Sequence, residues 1–157
     1  MEAGDAKVTW ERYLGPVPPI TDAALDEAAT TAGVRLPAAY RDLAEQHAGE
    51  IPKPSEVQFG ESGGSAVWGP LLVTDAGDNR TARTYTIPAM LRDLQENGWR
   101  RLFPIASDTA NGLFRLDGRD RAEAEAVVFV DLTYDPDEDG AIRPVAPSVL
   151  DALSKLT

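Results

Sequence analysis

Cysteine is absent from this chain of 157 residues, and histidine occurs once, as His47. The first absence excludes disulfides, thiolate nucleophiles and thiolate metal sites. The second leaves a hydrolytic triad or an imidazole metal site only if His47 itself takes part. Lysine is scarce as well, with only Lys7, Lys53 and Lys155 among 15 basic residues. Purely aliphatic or aromatic runs are short, such as Val127-Val128-Phe129-Val130, so nothing in the sequence spans a bilayer. The opening Met1-Glu2-Ala3-Gly4-Asp5-Ala6-Lys7 has neither a basic nor an apolar leader region. No secretory signal is read there, and a cytoplasmic protein is expected.

What the chain has in quantity is acid. Its formal net charge is −11, unevenly distributed. Residues 1–79 carry 13 acids and 5 bases, residues 80–121 carry 5 and 8, and residues 122–157 carry 8 and 2. Nucleic acids and anionic membranes need a basic face, so neither is expected as a partner. A basic protein partner is compatible with the charge, because opposite fields speed association. Taken alone, the charge points first to solubility, since many soluble proteins are acidic for that reason only. The length fits one domain, read as residues 1–157 with residues 1–19 an N-terminal extension packed on it.

Local signals divide the chain into helices and then strands. Residues 10–14 predict a short helical turn, followed by the extended Gly15-Pro16-Val17-Pro18-Pro19. Thr21 suits an N-cap and Asp22 the first turn of a helix carrying Leu25, Ala28, Ala29 and Ala32 on one face. A second helix is expected from Pro37 to about His47, with Tyr40, Leu43, Ala44 and His47 on one face. Val57 and Phe59 read as a half-buried strand, and residues 66–73 as a strand interrupted at Gly69-Pro70. Pro88 predicts a third helix with Ile87, Leu91 and Leu94 inward and Gly98 closing it. Strands follow at 102–106, 112–117 and 126–132, the last the best candidate for a central position, and a closing helix spans 148–156. The fold class is therefore α+β, with a mainly antiparallel sheet packed against the N-terminal helices and a closing C-terminal helix.

One stretch carries more than local structure. In Gly33-Val34-Arg35-Leu36-Pro37-Ala38-Ala39-Tyr40-Arg41-Asp42-Leu43, Gly33 suits a left-handed helix end, Pro37 the first turn of the next helix, and Leu36 and Tyr40 a hydrophobic staple across the entry. This order resembles the LP-x-x-Y-x-x-L corner of the SUKH superfamily, the Smi/Knr-type domain. Phe103-Pro104-Ile105-Ala106-Ser107-Asp108 through Gly112-Leu113-Phe114-Arg115-Leu116-Asp117 resembles the family's next passage. Val127-Val128-Phe129-Val130-Asp131 and Val145-Ala146-Pro147-Ser148-Val149-Leu150-Asp151-Ala152-Leu153 resemble the two after it, in the family's order. The chain departs from the pattern in His47-Ala48-Gly49, where Asn-Gly-Gly is commoner, and in Val130, where an aromatic is usual. Leu36, Pro37, Tyr40 and Gly112 are thereby assigned structural roles.

Few residues suggest chemistry. His47 shares the inward face of its helix and reads as a packed structural side chain. Asp135-Pro136-Asp137-Glu138-Asp139-Gly140-Ala141-Ile142 spaces its acids, glycine and isoleucine as a calcium loop would. Ala146 occupies the place of the bidentate glutamate and a strand precedes the loop, so an acidic hairpin or connector is the competing reading. Ser62-Gly63-Gly64-Ser65 lacks a phosphate-loop lysine. No catalytic residue, metal site or cofactor is assigned. The resemblance implies a binding protein rather than an enzyme: an immunity protein that neutralises a toxin domain encoded nearby by stoichiometric binding. If that toxin is a basic nuclease, the acidic loops would carry the contact, with Asp75, Asp78, Asp108, Asp131, Tyr134, Asp135, Asp137, Glu138 and Asp139 as candidates. The alternative is a regulatory or scaffolding module that binds an endogenous protein.

Overall fold

The computed structural model describes residues 8–59, 64–108, 112–131, 133–138 and 140–157. The expected helical turn at residues 10–14 is instead a strand, β1 (Thr9–Arg12), antiparallel to β2 (Glu50–Lys53). A turn of that length has too few hydrogen bonds to persist unsupported, whereas pairing satisfies its backbone against a second segment. Pro52 lies opposite Trp10 in a ribbon of only two strands, where its missing N–H leaves no ladder bond broken on a neighbour.

Two helices follow as the local signals require. In α1 (Asp22–Ala32) the Ala24 N–H donates to Thr21 Oγ1 at 3.1 Å, and Leu25, Ala28, Ala29 and Ala32 are buried. Gly33 ends it at φ 78°, donating its N–H to the Ala29 and Thr30 carbonyls. Helix α2 (Ala38–His47) starts one residue later than expected. Pro37 has φ −66° and ψ 149°, so it occupies the cap position, its ring compatible with extended ψ as readily as with a helix. Between the helices the chain is stitched to a distant segment. The Arg35 N–H donates to the Ala122 carbonyl and the Ala124 N–H to the Arg35 carbonyl, both at 2.9 Å. Val34 sits over Gly118, where a Cβ would come within 2.3 Å of Val34 Cγ1.

The apolar stretch at residues 66–73 serves two pairings. Its first part is β4 (Ser65–Val67), a hairpin partner of β3 (Glu56–Gln58). The remainder lies along β5 (Leu102–Ser107): the Gly69 N–H donates to Ser107 O and the Leu72 N–H to Ile105 O. A Cβ on Gly69 would meet Ser107 O at 2.5 Å, so the close approach requires glycine. A 3-10 turn (Thr81–Tyr85) leads into α3 (Ile87–Glu96), capped by Thr86, with Ile87, Leu91 and Leu94 buried and Gly98 at φ 87° beyond its end.

The four-stranded antiparallel sheet has the order β5, β6 (Gly112–Asp117), β7 (Ala126–Asp131), β8 (Ile142–Ala146). The strand β8 was not anticipated. Its Pro144 is a poor strand signal, but β8 is an edge strand, where proline is tolerated. One sheet face carries Phe103, Ile105, Phe114, Leu116, Val127 and Phe129 into the main core with Leu25, Tyr40 and Trp68. There Trp68 stacks on Phe114 at 4.5 Å, and Tyr40 meets Phe103 edge-on at 5.6 Å. Helix α4 (Val149–Ser154), capped by Ser148 Oγ, closes this core with Val149, Ala152 and Leu153. The opposite face carries a second, smaller core of Leu102, Leu113, Val128 and Val130 with Leu94, Trp99 and Ala141. Among the described residues, no helix is long and apolar enough to cross a membrane.

Candidate protein-binding surface

The connections between β5 and β6 and between β7 and β8 leave the same end of the sheet. That topology gathers Asp108, Asp131, Tyr134, Asp135, Asp137 and Glu138, whereas Asp139 lies outside the described residues. Their side chains divide by task. Asp108 Oδ1 accepts from the Gly112 N–H at 3.1 Å, closing the entry to β6. Gly112 faces Asp131 across the ladder, and a Cβ on it would fall 1.9 Å from Phe129 Cζ, so the Phe129 ring occupies the space a side chain would need. Asp131 Oδ1 accepts from the Thr133 N–H at 3.0 Å and from Thr133 Oγ1 at 2.7 Å, an Asx turn that starts the connection. The Glu138 carboxylate accepts from the Asp135 N–H at 2.7 Å, while the Glu138 N–H donates to the Asp135 carbonyl. Asp135 and Asp137 are exposed, and Tyr134 is half-buried. The acidic stretch thus joins two strands, as a hairpin connection does. Among the described residues, no group of three or more histidine, aspartate or glutamate side chains is placed to hold a metal ion.

Asp75 and Asp78 belong elsewhere. Residues 69–73 run antiparallel to β5 and carry the chain away from the Asp108 end. Asp75 Oδ1 then accepts from the Gly77 N–H at 2.9 Å, and Asn79 Nδ2 donates to the Pro16 carbonyl at 3.2 Å. This loop packs on the N-terminal connector, with Leu14, Val73, Ala76 and Ala82 forming a small core of their own. The nine residues nominated from the sequence therefore do not form one patch.

The hairpin connection meets the end of α3. Pro136 lies against Gly98, 3.4 Å from where a Cβ would stand. Between them is a cavity of about 270 Å3, walled by Asp93 of α3, Asn97 just past its end, Trp99, Tyr134 and Asp135, with Met90, Leu94 and Leu113 also lining it. The helix end is firmly closed: Asn97 Nδ2 donates to the Asp93 carbonyl at 2.7 Å, and the Trp99 N–H to Leu94 O at 2.9 Å. Sequence reasoning reached Gly98 as a helix stop and Tyr134 as a candidate. It did not reach Asp93, because no local signal says which loop will lie on this helix end.

Two further sites bear on function by what they commit. The His47 ring stacks on Trp10 at 4.4 Å with an 11° interplanar angle, and Nδ1 bonds Glu50 Oε1 at 2.8 Å. The expected strand-free N-terminus concealed this contact, since β1 is what delivers Trp10. On the surface of α1 and α2, Arg41 bridges Asp22 and Asp26, and the fully exposed Glu45 carboxyl is raised by a hydrogen bond to Asp22 and by the charges of Asp22 and Asp42. Beneath the sheet face that carries Leu113 lies Arg115, 0% exposed, its three guanidinium nitrogens without a hydrogen-bond partner among the described residues. Burial pushes its pKa down to about 9.

With the geometry in hand, one comparison is positive. The model of the SMI1 / KNR4 family (SUKH-1) matches residues 19–155. No curated protein and no solved structure matches the chain.

Proposed function

This chain belongs to the SMI1 / KNR4 family (SUKH-1), and from that premise we propose that it is an immunity protein, a non-catalytic binder that blocks a bacterial toxin domain by stoichiometric contact. The observation that carries the reading is the sheet end shared by Asp108, Tyr134, Asp135, Asp137 and Glu138 on two adjoining connections. A rigid antiparallel platform holds them, so ordering them on binding costs little conformational entropy. A basic nuclease is the toxin class that fits: its substrate groove is built to receive negative charge, and this end of the sheet offers it.

Electrostatics assigns different work to different acids. Asp131 and Glu138 already hold backbone N–H groups, so they shape the loop. Asp137 is exposed and mainly sets the association rate. Co-expression with the toxin domain encoded next to this gene tests the reading: rescue from that toxin, and from no unrelated one, is expected. Stopped-flow association should slow about tenfold or more between roughly 0.05 and 0.5 M NaCl. Absence of rescue combined with binding to a housekeeping protein sinks the immunity role in favour of a regulatory module.

A further inference from the structure

We propose that the cavity between the end of α3 and the β7–β8 connection is a receptor for one arginine side chain of the protein partner. The inference rests on the binding reading above and names the chemistry of that partner. Asp93 comes from the helix and Asp135 from the connection, so two acidic residues line the cavity from separate elements. Both are exposed, and neither has an ion-pair partner among the described residues. The lining also includes the last turn of α3, whose dipole presents its negative end there.

The remaining lining selects the cation. Half-buried Tyr134 supplies aromatic surface and the buried Trp99, Leu94 and Leu113 an apolar floor, which suit a guanidinium on the Tyr134 ring above a methylene stem. A planar fork can meet two carboxylates while lying on an aromatic face, which a lysine ammonium matches less well. At about 270 Å3 the space is below that of ordinary small-molecule sites and fits a single side chain. No basic residue lines it. Arg115 shares the sheet face with Leu113 but is buried in the ladder, so its single positive charge is outnumbered by the two carboxylates. A central anchor in a pocket, ringed by weaker contacts, is the arrangement in which interface energy concentrates.

The test is an NMR titration of the full chain with N-acetyl-Gly-Arg-Gly-amide, and with the glutamine tripeptide as a neutral control. Saturable shifts at the Trp99 indole and the Leu113 amide are expected with the arginine peptide. The exposed, isosteric pair Asp93→Asn and Asp135→Asn should weaken that binding about tenfold. Equal response to the glutamine peptide, no response to arginine, or no loss in the double variant overturns the pocket. The immunity role is judged separately. A chain that protects no cell yet takes the arginine peptide keeps the pocket, whereas neutralisation with unchanged affinity in the double variant removes the pocket and leaves the role intact.

Discussion

Replacing Arg115 with methionine should make this protein more stable, an uncommon direction for a change in a central strand. Arg115 lies on β6 between Pro104 and Val128 of the neighbouring strands, fully buried, with Nε, Nη1 and Nη2 unpartnered among the described residues. A charged group removed from water without hydrogen bonds is destabilising. Lowering the pKa from the ordinary guanidinium value to about 9 corresponds to about 5 kcal/mol of lost preference for the charged form. Some of that returns as methylene burial, which methionine keeps, so the net gain for R115M is expected at about 2–4 kcal/mol. At roughly 2–4 °C per kcal/mol for a chain of this size, the melting temperature should rise by about 4–16 °C. Linkage gives a second signature. The folded state holds this proton less tightly, so the cost is fully present below pH 9 and is relieved as pH rises toward the ordinary guanidinium pKa. The wild-type deficit relative to R115M should thus shrink by roughly 1–1.5 kcal/mol between pH 7 and pH 10. Urea unfolding of both proteins at the two pH values reads this directly, because other titrations are common to both. A variant less stable than wild type by 1 kcal/mol or more, or a gap independent of pH, would refute the reasoning.

Two other perturbations probe the scaffold. Gly118→Ala forces a methyl into Val34 and should cost about 1–3 kcal/mol; adding Val34→Ala should recover at least about 1 kcal/mol of the summed losses, measured as a double-mutant cycle by chemical unfolding. Strict additivity would mean that the corner does not rest on this contact. For Asp117, burial pushes the carboxyl up, but the side-chain and backbone hydrogen bonds and the charge of Arg119 outweigh it, leaving its pKa below the ordinary 3.8. Its stabilisation is present above that value and lost as pH falls through the lower folded pKa, so Asp117→Asn should flatten the acid limb of stability against pH.

The split between local and tertiary information runs through individual residues. Thr21 and Gly33 were legible because an N-cap and a left-handed helix end depend on the residue and its immediate neighbours. The helical face of Ile87, Leu91 and Leu94 and the apolar run of β7 were legible because periodicity records which side is buried. β1 and β8 were not: Thr9–Arg12 is a strand only because β2 pairs with it, and Ile142–Ala146 carries a proline that only an edge position tolerates. The candidate surface divides the same way. Acidic side chains were visible as composition, but whether Asp75 joins Asp135 depends on which way the chain runs along β5.

The order of motifs from residue 33 to residue 153 was sufficient by itself to place this chain in its family, because short-range constraints on helix ends and strand burial are written in neighbouring residues. Tertiary structure alone decided that the corner at Val34 and Arg35 is clamped by residues 118–124, that Arg115 is buried without a partner among the described residues, and that Asp93 and Asp135 line one cavity. Each of these joins segments far apart in sequence, and a long-range contact is set by the packing of the whole chain rather than by any residue's neighbours.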